Sequence, residues 1–303
     1  MMAQRGMLLL PVALMLAVVG TLTYTMTREG SMSLASVNAD YETEAARYLA
    51  EGGARLAIWQ NERIGCSSEI AFGKLDLPGI GSITSGTIKR EGSNTMNISV
   101  SATTPARPSN PPPAEFVITG RKVMVHKRAD LTTITLNGAG GNDTSIKLGV
   151  SNSLASAKEL ELSDGKAHAL IRFSMPGDTD NAVILSAQLK LVQLYTDSTQ
   201  PGSLAVHRVM RDWGAGTSWD SPWSTPGGDY APSATASVAV GPELKEYGLP
   251  IEGLVQSWAN KTIDDKQGVL LKPSGMLNAR FHSLDAATTS NKPKLVVRYY
   301  PRC

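Results

Sequence analysis

Three of the five tryptophans in this chain, Trp213, Trp219 and Trp223, fall within eleven residues amid Gly, Ser and Pro. Aromatic rings in such a setting can stack on the C–H faces of sugars or anchor a protein interface. Two oxygen-rich stretches, Asp178-Thr179-Asp180-Asn181 and Asp264-Asp265, offer the donor type that Ca²⁺ takes, roughly six to eight oxygens at a time. Neither has EF-hand spacing, so solvated turns are the expectation, and no metal or other cofactor is assigned. The four histidines, His126, His168, His207 and His282, stand in no nucleophile–base–orienter pattern. No catalytic residue is assigned, and an enzyme is not expected. Two cysteines, Cys66 and Cys303, suit an oxidising compartment and are too few for a zinc site; whether they pair is open.

The elements that would position these residues begin with Met7–Thr27, 21 residues without a charge, preceded by Arg5. As a helix this run spans roughly 30 Å, the thickness of a bilayer's hydrocarbon core. A cleaved signal peptide, a permanent single-pass anchor with its N-terminus in the cytoplasm, and a short basic leader removed ahead of a retained helix all begin this way. The apolar run is long for a signal peptide, and no A-x-A-like site closes it. Residues 28–62 contain no proline, and Leu34, Val37, Tyr41, Ala45, Tyr48, Gly52, Leu56 and Trp59 recur with a mean step of about 3.6. That stripe is the expected inner face of a continuous helix from Met7 to about Glu62, with Gly65 as its stop.

Beyond Cys66 the helical period ends. Ile83–Arg90 and Thr95–Thr103 read as a hairpin, and Phe116–Thr119 and Lys122–His126 as two further strands. A Pro-rich loop at 105–113 separates them, because five prolines in nine residues cannot continue a sheet interior. The simplest assembly is a small antiparallel sheet on the amphipathic helix, each burying the other's apolar face. From about residue 130 the pattern is all-β. Candidate strands are Leu131–Leu136, Ser145–Val150, Ala167–Phe173, Val183–Leu194, Leu204–Arg208, Thr235–Val240, Val269–Lys272 and Lys294–Tyr300, with Gly, Pro, Asn and Asp between them. One helical segment intrudes at Ile251–Trp258. The fold class expected is α+β: a long helix on a small sheet, then a jelly-roll or sandwich domain. A net charge of +2 excludes a strong field for nucleic acid.

Gln4-Arg5-Gly6 followed by Met7-Leu8-Leu9-Leu10-Pro11 and the apolar helix resembles the N-terminus of type IV pilins and minor pilins. The segment Ala45–Ala54 is similar to that of the PilX and MSHA-biogenesis subgroup. The resemblance implies cleavage between Gly6 and Met7 by a prepilin peptidase. It also implies partners in other pilin or pseudopilin subunits, and a place in a bacterial inner membrane with the head in the periplasm, or outside the cell in a pilus. Major pilins usually carry glutamate where Pro11 stands, which points to a minor, tip or membrane-retained subunit.

The C-terminal part resembles DNRLRE-type domains, a jelly-roll family related to some carbohydrate-binding modules. The resemblance is carried by His168–Phe173, Ser186–Leu191, Ala205–Val209 with Trp213 and Trp219, Leu254–Trp258, Gly268–Lys272 and Lys292–Val297, in that order. It implies packing roles for Trp213 and Trp219. Trp223 matches no motif and is the better candidate for an exposed contact with surface polysaccharide. The organisation expected is a leader at 1–6, the assembly half of the helix at 7–27, a pilin-like unit at 28–128 and the β domain at 129–303. The leading expectation is a structural or adhesive pilus subunit. A membrane-anchored carbohydrate-binding module and an anchored glycan-active enzyme are the alternatives.

Overall fold

The computed structural model describes residues 9–66, 69–91, 95–105, 113–138, 140–197, 199 and 201–303, with only the backbone described at 9–14 and 29–35. The expected Gly6–Met7 cleavage point and most of the Pro-rich loop lie outside the described residues. The chain forms two compact units that divide after Val125. Its class is α+β with a β-rich C-terminal unit.

In the first unit a helix, α1 (Leu9–Arg63), runs against an antiparallel sheet. The sheet comprises β1 (Glu69–Phe72), β2 (Leu75–Leu77), β3 (Gly81–Glu91), β4 (Thr95–Thr103) and β5 (Glu115–Val123). Its order is β1-β3-β4-β5, with β2 also on β3. Strand β4 alternates strictly, turning Met96, Ile98, Val100 and Ala102 into the core. β5 is one strand where two were expected. Gly120, at φ +61°, absorbs a register shift opposite Ile98–Val100 and lets pairing continue on both sides. Among the described residues no helix is long and apolar enough to cross a membrane; Met7 and Leu8, the start of the expected span, are not among them.

The inner face of α1 is not the expected one. Val37, Tyr41, Tyr48 (74% exposed) and Trp59 (51%) point to solvent. The residues against the sheet are Ala46, Leu49, Ala50, Gly53, Ala54 and Ala57. Both sets follow the 3.6 period, and they differ by a rotation of about one residue, roughly 100°. Distance decides between them. A Cβ on Gly53 would lie 2.8 Å from Val100 Cγ1 and 3.1 Å from Ile83 Cγ2, so the backbone approaches the sheet too closely for Tyr or Trp on that face. The pairing is pinned at one flank by a bidentate contact of Arg121 on β5 with Glu51, at 2.6 and 2.7 Å. That hydrogen bond from Arg121 holds the Glu51 carboxyl below the usual carboxylate range.

The second unit, His126–Cys303, is an eleven-stranded antiparallel arrangement. Its strands are β6 (Thr132–Leu136), β7 (Asn142–Lys147), β8 (Glu159–Ser163), β9 (Ala167–Arg172), β10 (Val183–Thr196), β11 (Gly202–Arg208), β12 (Ala236–Val240), β13 (Glu246–Pro250), β14 (Val269–Ser274), β15 (Asn278–His282) and β16 (Lys294–Tyr300). They connect in the order β12-β11-β14-β9-β8-β15-β10-β16-β6, with β13 on β10 and β7 on β9. The core gathers Leu189, Leu191, Phe281, Leu295, Val297 and Tyr299, and α2 (Glu252–Ala259) closes it with Leu254, Val255 and Trp258. Strands β8, β13 and β15 were not expected from the sequence. They are five residues each; β8 and β15 are rich in polar side chains, and β13 carries Gly248 and Pro250, which shortens the apolar signal. Neither cysteine is free: Cys66 and Cys303 are both disulfide-bonded.

The rotated helix face makes a direct prediction. Ala50→Leu forces a larger side chain into the helix–sheet contact and should cost about 1–3 kcal/mol. Tyr48→Ala, on the opposite face, should stay within about 0.5 kcal/mol. Urea unfolding of the two variants measures this, and the reverse order would restore the expected stripe.

Candidate functional site

The tryptophan segment follows β11 and lies over strands buried on both faces. In β9, Ala169 and Ile171 face the main core while Leu170 faces the other way; in β14, Leu271 and Leu270 divide likewise. The second face must be covered, and the 209–230 segment covers it. Trp213, Trp219 and Trp223 pack with Ile146, Leu170, Val209 and Leu270, and Tyr230 lies against them.

Trp213 and Trp219 are buried packing residues, and so is Trp223, at 7% exposure. The expectation of an exposed Trp223 is corrected: its ring completes this second core and its Nε1 donates to Ser218 O at 2.8 Å. Trp213 Nε1 donates to Gln267 O at 2.7 Å, and the Arg172 guanidinium lies 4.8 Å from its ring centroid. With all three rings buried, none of them offers a platform to a sugar. The signal was in the strands: Ala169–Ile171 and Val269–Leu271 are unbroken apolar runs, and such runs require cover on both faces.

The same segment shapes the surface above the rings. A groove of about 650 Å³ is walled by Met210, Pro226 and Pro232, with Tyr230 and Lys272 within it. The Lys272 ammonium stands 5.1 Å from the Tyr230 ring centroid. Asp229 ties the rim. It accepts from Ser224 N at 3.0 Å, from Ser224 Oγ at 2.7 Å, from Thr225 N at 3.1 Å and from Arg211 Nη1 at 3.3 Å. Those donors, the Ser224 N–H first, hold the Asp229 carboxyl at about 2, so it is ionised across the physiological range. The groove offers apolar walls, one cation and a carboxylate already committed to its own loop, which suits binding by shape.

No protein-family model matches this chain, and no curated protein matches it.

The histidines are struts. His168 Nδ1 lies 2.8 Å from Gly227 O and His207 Nδ1 2.8 Å from Ala231 O, so each Nδ1 carries the proton that the carbonyl accepts. Burial lowers the His168 pKa, and the ring lies beside Trp219, 4.9 Å between centroids. His126 Nε2 meets Asn181 O at 3.1 Å, and His282 Nε2 meets Asn291 Nδ2 at 3.4 Å. The oxygen-rich loops are engaged internally as well. Asp178 accepts from Tyr299 OH at 2.7 Å, Asp180 pairs with Lys261 at 2.7 Å, and Asp264 and Asp265 accept from backbone N–H groups. Among the described residues, no group of three or more His, Cys, Asp or Glu is placed to hold a metal.

One buried acid went unnoticed in the sequence. Asp143 on β7 is 4% exposed and accepts from Leu284 N at 2.6 Å. Burial pushes its carboxyl up to about 7, against the pull of the Leu284 N–H; Asp285 adds to the rise and Lys292 opposes it.

Two predictions follow from this geometry. Trp223→Ala should cost about 3–5 kcal/mol of stability by opening a cavity under the groove, read as a lowered thermal or urea midpoint. A change confined to ligand binding would contradict the buried ring. For Asp143 the folded pKa lies above the unfolded value, so the native state holds the extra proton. Its contribution to stability is complete below about pH 4 and is lost as pH rises towards 7, a change of at most about 4 kcal/mol at 1.36 kcal/mol per pKa unit. Asp143→Asn should therefore flatten the decline in urea midpoint between pH 4 and 8.

Proposed function

We propose that this chain is a pilin-like subunit of a type IV pilus or pseudopilus. It is a minor or tip subunit whose C-terminal jelly-roll-type β-sandwich head serves adhesion or assembly. The observation that carries the reading is the two-faced α1. Its sheet-side stripe is nearly all Ala and Gly, and its outer face keeps Val37, Tyr41, Tyr48 and Trp59 in solvent. Further up the same helix Met15, Leu16, Val19, Leu22 and Met26 are all exposed. Two such exposed apolar stretches on one helix ask for a partner, and a lipid bilayer and neighbouring helices would cover them in turn. The charge-free run Met7–Thr27 supports the membrane stage, with the head on the far side. Disulfide-bonded cysteines agree with an oxidising compartment such as the periplasm or the cell exterior.

A head of this size repeated along a fibre would crowd its neighbours, which favours a minor or tip position. Pro11, where a docking glutamate usually stands, favours the same placement. The glycan-binding alternative loses the motivation it had in Trp223, whose ring is buried. An anchored glycan-active enzyme gains no supporting observation from the histidines, which serve the loops.

Co-expression with a prepilin peptidase followed by N-terminal sequencing tests the assignment. Met7 as the first residue is expected; a chain still beginning at Met1 or Met2 contradicts the pilin reading.

A further inference from the structure

One cation on the outer face of β14 is left without a counter-charge. Side chains alternate along this strand: Leu271 faces the main core, and Leu270 faces the tryptophan segment. Lys272 lies two residues beyond Leu270, on the same face, where the cover of the 209–230 segment ends and the groove opens. It is half-buried and sits across from Ala205 of β11. Its ammonium stands 5.1 Å from the Tyr230 ring centroid, and the His168 ring lies close enough to feel its charge. Neither neighbour is an acid. Among the described residues the Lys272 ammonium forms no ion pair and no hydrogen bond, and the Tyr230 hydroxyl has no hydrogen-bond partner.

The groove's other charge is already answered. Asp229 accepts from Arg211 Nη1 at 3.3 Å as well as from the Ser224 and Thr225 N–H groups. Arg211 and Asp229 are neutral as a pair, so the groove keeps the single positive charge of Lys272. A cationic ligand would meet that charge and an acid with its acceptor sites taken. The walls are apolar, formed by Met210, which is 51% exposed, with Pro226 and Pro232. The volume of about 650 Å³ lies in the range of small-molecule sites, roughly 300–1,000 Å³, whose linings are mostly apolar with a few placed polar groups. An ammonium held over an aromatic ring is oriented before a ligand arrives, which reduces the ordering cost of binding.

We propose that this groove binds a small amphiphilic carboxylate. The acid meets the Lys272 ammonium, with the Tyr230 hydroxyl as a second donor. The apolar body lies between Met210, Pro226 and Pro232. A hydrogen bond between two ionised groups is stronger than a neutral one, and more so at a half-buried position than in open water. The buried tryptophans lie beneath and hold the segment that forms the walls. The site lies within the head and does not rest on the pilus reading.

The test is calorimetric titration of the full chain, in a nonionic detergent, with phenylbutyrate and with its neutral amide. The heats of the same additions to detergent alone are subtracted. Phenylbutyrate should bind saturably, about tenfold more tightly than the amide, and more weakly as salt rises. Lys272→Met removes the charge and keeps an apolar stem. It should lower the acid to the affinity of the amide and leave the amide unchanged. Met210→Ala, at an exposed position, should weaken both probes alike. Absence of saturable phenylbutyrate binding overturns the site. Acid binding that survives Lys272→Met at full strength overturns the placement of the carboxylate. Equal affinity of the wild-type chain for acid and amide overturns the anionic selection, and that comparison needs no variant to fold.

Discussion

Side chains on a strand alternate between faces, and a shift of one residue exchanges every inside position for an outside one. β10 is where this constraint weighs most on the head. It is 14 residues long and pairs with β13, β15 and β16. Its middle, Gln188–Lys190, is held on both edges by β13 and β16, so the inward set Ala187, Leu189 and Leu191 cannot slip without exposing the centre of the core. Irregularity is confined to the ends, at Ile184–Ser186 against β16 and at Gln193–Tyr195 against β15. The first end lies beside α2, where Gln256 Oε1 accepts from Ile184 N at 2.9 Å and supports backbone next to the shifted register. The second end presents Tyr195. The interior is thus fixed by alternation, and the two places where alternation fails are where β10 meets something other than the core.

The first unit obeys a different constraint, the distance between a helix and a pleated sheet. Periodicity locates a helix and says nothing about which of two overlapping stripes lies inside. Choosing the bulkier stripe assumes that larger apolar side chains gain more by burial, which is true residue by residue. It fails here because Gly81 and Gly53 set a close approach. A Cβ on Gly81 would meet Leu49 Cδ1 at 2.7 Å and Thr103 O at 2.4 Å, positions that bulky packing would push apart. What Ala46, Ala50, Ala54 and Ala57 forgo in buried area per residue they recover in close contact along the helix. The hairpin of β3 and β4 and the helix itself were legible, because each rests on a local pattern. The rotation of the helix was not, because it depends on contacts between residues distant in sequence, Gly53 with Val100 and Ile83 and Gly81 with Leu49.

The head shows the same division. Strands β9, β10, β14 and β16 and the helix α2 could be read from the sequence, since each carries a local signal: an apolar run in β9 and β14, alternation in β10 and β16, and helical spacing in α2. β8 and β15 could not, although Glu159–Ser163 and Asn278–His282 alternate in the required way. Their apolar members are two apiece, Leu160 with Leu162 and Ala279 with Phe281, too few to stand out without the partner strand. The tryptophans were conspicuous by type, and their burial was written in the apolar runs of β9 and β14 rather than in their own neighbourhood.

Most of the titratable and ring-bearing groups in the loops are consumed by the fold. Asp229 ties down Ser224 and Thr225, Asp178 holds Tyr299, and His168 and His207 hold the carbonyls of Gly227 and Ala231. A carboxylate or ring committed in this way to its own loop has less to offer a ligand. The large exposed apolar side chains lie elsewhere, on the outer face of α1, where Val37, Tyr41, Tyr48 and Trp59 are turned from the sheet and the Arg63 guanidinium stands 5.2 Å from the Trp59 ring centroid. That face is fitted to like surfaces, whereas the loops of the head are fitted to holding their own backbone.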